Sequence, residues 1–219
     1  GHYQQKQPPS GEIGDFTVSM VKTIPPDSYP AHREIGFGLI KRASSGLRGN
    51  DLASLIKQAG YQLADQIRRM PVLPGDVHVL DNALGSAETV GFNRNWDDYP
   101  NQMLINDHKT FEKFARFYRG HQNKNKAKSY GVVKLAYHNP DVQRVDLVIA
   151  LNGNKESAQR NGGLVADDEL DLLEKRAEIQ TSMSCRVPND VCSGCGNKAR
   201  TREDYCTGET CKYGGLRDN

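Results

Sequence analysis

The chain has 219 residues and a formal net charge of +2 at pH 7, a length that fits one large domain or two small ones. Apolar residues make up 37% of the chain, enough for a hydrophobic core, and the near balance of charge argues against a surface built for nucleic acid or anionic lipid. No apolar run approaches the ~20 residues of a membrane-spanning helix, and no signal-peptide pattern opens the chain. We therefore expect a soluble, intracellular protein with no membrane partner.

The N-terminal third contains one clear predicted element. Residues 1–33 are polar and interrupted by prolines. Within them, apolar and polar residues alternate partially over residues 13–24, which predicts a single strand. Residues 50–70 predict a helix, because Asn50 is a good N-cap and apolar residues recur on one helical face up to Pro71. We place a domain boundary near residue 75.

The middle of the chain mixes strands and helices. Residues 77–80 predict a short strand, and residues 110–118 predict a short helix. Residues 129–135 and 145–151 are β-branched and aromatic, and a turn at 138–141 joins them into a hairpin. A second helix at 167–177 and a strand at 179–187 follow. This order predicts an α+β fold with a mainly antiparallel sheet.

Five cysteines lie within the 27 residues from Cys185 to Cys211, and none precedes them. Such a local cluster in an intracellular protein is more typical of metal binding than of disulfides. Four of these cysteines have the spacing C-x2-C, ten residues, C-x4-C, and Gly196 lets the backbone turn after the first pair. Tetrahedral sulfur ligation favours zinc, and four thiolates leave no open position for catalysis. The sequence predicts one structural zinc ion held by Cys192, Cys195, Cys206 and Cys211.

Two disulfides, four idle thiols or an iron–sulfur cluster are the alternatives for this loop. The charge of this segment does not favour binding of nucleic acid, since residues 188–219 carry five basic and five acidic side chains. Because the loop has little apolar surface of its own, we expect the metal to order it.

Residues 180–185 place hydroxyl groups on a short strand just before the cysteines. Serine catalysis needs such a hydroxyl, a base and oxyanion donors. Ser182 and Ser184 are the candidate nucleophiles, although most serines in strands are structural. His121 is the candidate base, because it follows Gly120 and opens a polar loop. His108 and His138 are its rivals, and we expect His138 to lie exposed in the hairpin turn.

Residues 109–134 hold eight basic side chains against one acid, Glu112. A solvated helix face and loop is the usual explanation for such a run. Binding of nucleic acid or of an acidic protein partner is the functional alternative.

Together these segments resemble the head maturation (prohead) serine proteases of tailed bacteriophages, over roughly residues 77–219. The likeness is carried by residues 91–95 (GFNRN) with Asp98 and Pro100, by 114–119 (FARFYR) running into His121 and 129–131 (SYG), by 144–148 (RVDLV), and by 182–187 (SMSCRV) leading into the cysteines.

The resemblance implies a fold like herpesvirus assemblin: a closed or nearly closed antiparallel β-barrel with flanking helices. It implies a serine endopeptidase that acts in the host cytoplasm inside the immature capsid. Such an enzyme cuts scaffold and capsid proteins and often itself. By position Ser182 matches the nucleophile and His121 the base, and amides near residues 183–186, with help from Arg186, match the oxyanion hole.

Two departures from the family pattern stand out. Ser184 replaces the glycine that usually stands two residues after the nucleophile, which leaves Ser184 as a rival. No segment after Ser182 matches the family's acidic third member, so we expect that residue to lie beyond the chain end of a truncated or self-processed product. Asp218 and Glu209 are poor substitutes for it.

The sequence thus predicts three parts: an N-terminal arm and helical segment (1–75), a protease-like α+β domain (76–187) and a four-cysteine zinc module (188–219). Capsid and scaffold proteins are the expected partners, with nucleic acid disfavoured and a homo-oligomer left open. The alternatives are a non-catalytic capsid scaffold or shell protein with this fold, and a zinc-containing nucleic-acid-binding protein.

Overall fold

The computed structural model describes residues 3–5, 17–20, 37–42, 49–89, 97–120, 122–175, 181–184, 188–207 and 211. At residues 97 and 182–184, and before residue 59, the description covers the backbone alone. None of the helices in these ranges has the length and apolarity that a membrane span requires.

Groups of strands and helices are interspersed along the described part of the chain. The strands are β1 (Tyr3–Gln5), β2 (Thr17–Met20), β3 (Phe37–Arg42), β4 (Asp76–Gly85), β5 (Asp97–Asp98), β6 (Arg116–Arg119), β7 (Gly131–Asn139), β8 (Arg144–Asn152), β9 (Thr181–Ser184), β10 (Asp190–Cys192) and β11 (Lys198–Ala199). The helices are α1 (Gly49–Arg69), α2 (Asn101–Asp107), α3 (Thr110–Phe114), α4 (Lys155–Asn161) and α5 (Asp167–Glu174). The fold is therefore α+β, as predicted.

A seven-stranded sheet with the order β3-β4-β8-β7-β6-β2-β9 forms the centre of the molecule. Its first four strands pair antiparallel throughout, and the predicted hairpin is confirmed as β7 and β8. Bulges interrupt the register between Asn82 and Leu84 and between Val133 and Leu135. Bulges of this kind increase local twist and bend, which favours a curled sheet.

The curl brings the last strand back toward the second one. Thr181 at the start of β9 donates a 2.9 Å hydrogen bond from Oγ1 to Oδ1 of Asp81 on β4, although four strands stand between them in the sheet order. No backbone ladder joins β3 to β9 among the described strands, so the sheet is a curled half-barrel. The resemblance implies a closed or nearly closed barrel, and the barrel is not closed, because a side-chain contact rather than backbone pairing bridges the gap.

Both faces of the central strands are covered, which explains their nearly continuous apolar sequence. Alternate residues of β4 and β8, such as Val79 and Ile149, pack with Phe111 and Phe117 in the main core cluster. The intervening residues, Leu80 and Val148, pack with Ala59, Leu63 and Ile67 of α1 in a second cluster.

Helix α1 is not continuous, in contrast to the predicted uninterrupted helix. Gly60 has φ 74° and ψ 166°, outside the helical region, and joins two helical segments. Glycine adopts positive φ without a steric penalty, so it is the natural residue for this break. The second segment still places Leu63 and Ile67 against the sheet.

The predicted helix at 110–118 is wrong beyond residue 114. Ala115 takes an extended ψ of 140°, and the chain continues as β6. Phe117 and Tyr118 are consecutive and both buried. Burial of neighbouring residues suits a strand that is covered on both faces, and it outweighs the helical spacing of the aromatic residues.

A smaller sheet with the order β11-β10-β1-β5 holds the cysteine segment. Its strand β10 pairs antiparallel with β1, with Tyr3 opposite Cys192, and β1 pairs parallel with β5. Strands from residues 1–42 therefore take part in both sheets.

Candidate functional site

The strand β9 carries both candidate nucleophiles at one edge of the half-barrel. In its register, Ser182 lies opposite Ser19 of β2, and Ser184 lies opposite Thr17. The side chains of Ser182 and Ser184 lie outside the described residues. Their backbone positions are nevertheless fixed by the ladder between β2 and β9.

His121, the candidate base, lies outside the described residues, but the strand that leads to it does not. Strand β6 ends at Arg119, and Gly120 follows with φ 55°, a left-handed turn that glycine tolerates. In the parallel ladder between β2 and β6, Tyr118 lies opposite Ser19. Ser182 and Tyr118 are therefore both neighbours of Ser19, on opposite sides of β2.

This register sets the spacing between the two candidate segments. Adjacent strands lie about 4.8 Å apart, so the backbones of β9 and β6 are separated by about 10 Å with β2 between them. Strand β2 thus belongs to the candidate site, although its sequence carries no motif that points to it.

Arg119 fixes the end of β6. Its Nε and Nη2 donate to the two carboxylate oxygens of Glu169 at 2.6 and 2.7 Å, and Glu169 is fully buried. It also contacts Asp167 at 3.1 Å and Asp168 at 2.9 Å. Its guanidinium lies 3.9 Å from the centre of the Tyr130 ring. Arg119 therefore ties the approach to residue 121 to the start of α5.

The rival histidines lie far from β9. Met183, Val18, Phe117 and Gly131 are aligned across four strands, and His138 lies seven residues beyond Gly131 along β7. At about 3.3 Å per residue, His138 is about 23 Å away along the strand.

His108 lies near His138, with ring centroids 6.1 Å apart. Nδ1 of His108 lies 2.9 Å from the carbonyl oxygen of Ile105, and Nε2 of His138 lies 2.7 Å from Oδ1 of Asn101. The expected exposed turn position of His138 is also wrong, because β7 extends to Asn139 and leaves His138 half-buried in the strand. Both rings belong to the packing of α2 against the sheet, remote from Ser182.

Asp81 is a titratable residue that lies beside the candidate site, and no sequence motif indicates it. Its side chain is fully buried, Oδ1 accepts from Thr181, and Oδ2 has no hydrogen-bond partner among the described residues. Burial raises the pKa of this carboxyl to about 7, with the Thr181 bond opposing the rise and the charge of Asp146 adding to it. Extending the alternation of Val77 and Val79 by one step would have placed an acid on the core face.

The four predicted metal ligands do come together. The Sγ atoms of Cys192, Cys195, Cys206 and Cys211 all lie within 4.8 Å of one another. The Cys192–Cys211 pair is separated by 3.9 Å and the Cys195–Cys206 pair by 3.3 Å. A disulfide requires about 2.05 Å, so these cysteines are not joined as disulfides. Four sulfurs tetrahedrally around zinc would lie about 3.8 Å apart, and the cluster is placed to hold one metal ion.

Short local turns build this cluster. The carbonyl oxygen of Cys192 accepts from the amide of Gly196 at 2.8 Å, and Gly196 has φ 74°, the positive value that glycine permits. Asp204 accepts from the amides of Arg200 and Thr201 at 3.1 Å. Cys192 and Cys211 are buried, whereas Cys195 is exposed. The backbone therefore supports the cluster through its own hydrogen bonds.

The basic run at 109–134 is partly used in structure. Lys109 contacts Glu112 and the carbonyl oxygen of Ala136, Arg116 donates to Ser129 and the carbonyl oxygen of Asn161, and Arg119 is held by acids. The five remaining lysines are exposed: Lys113, Lys124, Lys126, Lys128 and Lys134. The run is therefore a mixture of fold contacts and solvated side chains.

Several predicted residues lie outside the described part of the chain: Cys185, Arg186, Glu209 and Asp218. The expected third catalytic acid is not identified by the geometry. No family model matches the chain, and no curated protein or solved structure matches it.

Proposed function

We propose that this protein is a serine endopeptidase that matures the prohead of a tailed bacteriophage. The observation that carries the proposal is the pairing at Ser19 of β2. Ser19 lies opposite Ser182 of β9 on one side and opposite Tyr118 of β6, the strand that leads to His121, on the other. The sequence resemblance to prohead proteases points to the same two residues. The curled antiparallel sheet supports the proposal as an open relative of the assemblin-like barrel.

In this proposal the hydroxyl oxygen of Ser182 attacks the scissile carbonyl carbon of the substrate. His121 accepts the hydroxyl proton and returns it to the leaving amine, after which water hydrolyses the acyl-enzyme by the same proton route. Amides following Ser182 would stabilise the oxyanion. The substrates would be capsid and scaffold proteins, and the chain itself, within the immature capsid.

The metal of the cysteine cluster is zinc in this proposal, and its role is structural. A four-thiolate shell has no open position for a substrate or water. The residues fit this role, because the cluster closes a loop with few apolar side chains of its own. The ion would then stabilise the segment that follows β9.

A fluorophosphonate probe tests the nucleophile directly. We expect one probe per chain, attached to Ser182, in intact-mass and peptide analysis of wild type. Ser182→Ala should abolish labelling and self-cleavage, whereas Ser193→Ala in the exposed cysteine loop should leave both unchanged. Wild-type labelling in Ser182→Ala, with loss in Ser184→Ala, would move the nucleophile to Ser184.

A folded wild-type protein that neither labels nor cleaves itself would overturn the protease proposal. It would favour the capsid scaffold or shell alternative, which keeps the fold for binding. Steeply salt-dependent binding of DNA or RNA by that protein would instead support the nucleic-acid alternative.

A further inference from the structure

A hydrogen bond connects the interior of the half-barrel to the first residue of the strand that carries Ser182. Oγ1 of Thr181 donates to Oδ1 of Asp81 at 2.9 Å. Thr181 and Ser182 are consecutive in β9, so any force on the Thr181 side chain acts on the backbone one residue before the proposed nucleophile.

The strand β9 has few other attachments. It is four residues long, and among the described strands its ladder is with β2 alone. An edge strand of this length frays easily, because its end residues lack a second neighbour. The Asp81 contact supplies a second anchor, from β4 across the open side of the half-barrel.

The cost of placing a carboxyl group here is high. Asp81 is fully buried, and one of its oxygens has no partner among the described residues. An apolar residue of similar size would avoid the cost of removing a carboxylate from water. Perturbed carboxyl groups beside a cleft are concentrated at functional sites.

We propose that Asp81 is a positioning residue, whose ionised carboxylate holds Thr181 and thereby fixes Ser182 for attack. This rests on the proposed function of Ser182. A charged acceptor makes a hydrogen bond roughly twice as strong as a neutral one. Ionisation of Asp81 therefore tightens the anchor, and protonation loosens it.

The surroundings of Asp81 cause its carboxyl group to titrate near neutral pH. Burial raises its pKa to about 7. Across the ladders it lies opposite Phe37 of β3 and Leu147 of β8. The charged group that acts on it from β8 is Asp146, which is itself paired with Arg144 at 2.7 Å. Thr181 on β9 is the polar side chain that bonds to it.

The contact itself is tested without any catalytic readout. The pKa of Asp81 is measured by carboxyl-carbon NMR in wild type and in Thr181→Val, which keeps the side-chain shape and removes the donor. We expect a pKa near 7 in wild type and a value higher by about 1 in the variant, since the lost bond favours the charged form. An unchanged pKa in Thr181→Val would overturn the proposed anchor.

The consequence for Ser182 is tested by the rate of fluorophosphonate labelling between pH 8 and pH 6. A base with an ordinary histidine pKa of about 6.5 slows labelling about fourfold over this range. Loss of the Asp81 charge, with its pKa of about 7, adds about tenfold. We expect a decrease of about 40-fold in wild type and about fourfold in both Asp81→Asn and Thr181→Val.

These outcomes separate the possible failures. If the charge of Asp81 acted on His121 directly, Thr181→Val would retain a decrease of at least about 40-fold, and the positioning role would be overturned. The same 40-fold decrease in Asp81→Asn would also overturn it. Absence of labelling in wild type would refute the proposed function, while the NMR result would still decide whether the anchor exists.

Asp81→Asn is expected to fold. A carboxyl whose folded pKa is raised binds its proton more tightly in the folded state, so the contribution of Asp81 to stability is greatest at low pH. Stability is then lost between the unfolded value of about 4 and the folded value of about 7. The neutral amide avoids that loss, so thermal unfolding at pH 8 should occur at or above the wild-type temperature.

Discussion

At the scale of single residues, Arg119 forms an ion pair with a buried carboxylate beside the candidate site. It is 28% exposed and forms paired bonds to Glu169, whose side chain is fully buried. Removing one partner of such a pair leaves an uncompensated buried charge, a loss that typically costs several kcal/mol. The net contribution of this ion pair to stability is therefore smaller than the loss of stability that follows when only one of its partners is removed.

We predict that Arg119→Ala lowers the free energy of unfolding in urea by about 3 kcal/mol. The double variant Arg119→Met with Glu169→Leu should recover most of this loss, because it removes the buried charge as well. Arg69→Ala is a matched control: its pair with Asp65 is exposed, and the loss should be about 0.5 kcal/mol. Equal losses in Arg119→Ala and Arg69→Ala would show that Glu169 is not effectively buried.

At the scale of elements, the sequence pattern predicted those strands and helices whose partners lie close to them in sequence. The hairpin of β7 and β8 was predictable, since its strands are adjacent in sequence and β-branched. Strand β6 was not, because its aromatic residues also fit a helix, and its partner β2 lies far from it in sequence. Helix α4 was missed although Asn154 and Ser157 form a capping box and Gly162 ends it at φ 68°.

The candidate site divides in the same way. The four cysteines were predictable because ligand spacing in one short segment limits where the thiols can lie. Asp81 and Arg119 were not, because their roles depend on Thr181 and Glu169, which are 100 and 50 residues away in sequence. Contacts of that range are set by topology, which residue pattern alone does not specify.

Strand β2 gives the element-scale prediction. Ser19 is its central contact, opposite both Tyr118 and Ser182. Proline there removes a ladder donor in an interior strand, so Ser19→Pro should slow fluorophosphonate labelling of Ser182 by about tenfold or more. Ser19→Ala keeps the backbone donor and should label at nearly the wild-type rate. Equal rates in Ser19→Pro and wild type would contradict the role of β2 as the attachment of β9.

At the scale of the whole molecule, the N-terminal segment connects the parts. Strand β1 pairs with β10 beside Cys192, β2 pairs with β9, and β3 pairs with β4. The first 42 residues thus link the cysteine cluster, the proposed nucleophile strand and the central sheet. The cluster can therefore influence the site along two routes: through the short segment between β9 and β10, and through β1.

This arrangement predicts an order of events when the metal is removed. Wild-type protein should contain about one zinc ion per chain by elemental analysis. A chelator should first expose the amides of β10, β11 and β1 to hydrogen exchange, because zinc supplies most of the stability of such loops, on the order of 10 kcal/mol. Amides of β4 and β8, in the core, should stay protected. Labelling of Ser182 should then slow as β9 loses support on its C-terminal side.

Two variants decide whether the cluster causes this. Cys192→Ser removes a buried ligand and should reproduce the effect of the chelator, with no bound zinc and early exchange in β1. Cys185→Ser changes the cysteine that is not among the four predicted ligands and should keep zinc content and exchange at wild-type values. If chelation released zinc but left β1 and β10 protected, the ion would not be what holds the N-terminal strand to the cysteine segment. If β4 and β8 exchanged at the same time as β10, the two sheets would unfold as one unit, and the cluster would support the whole protein.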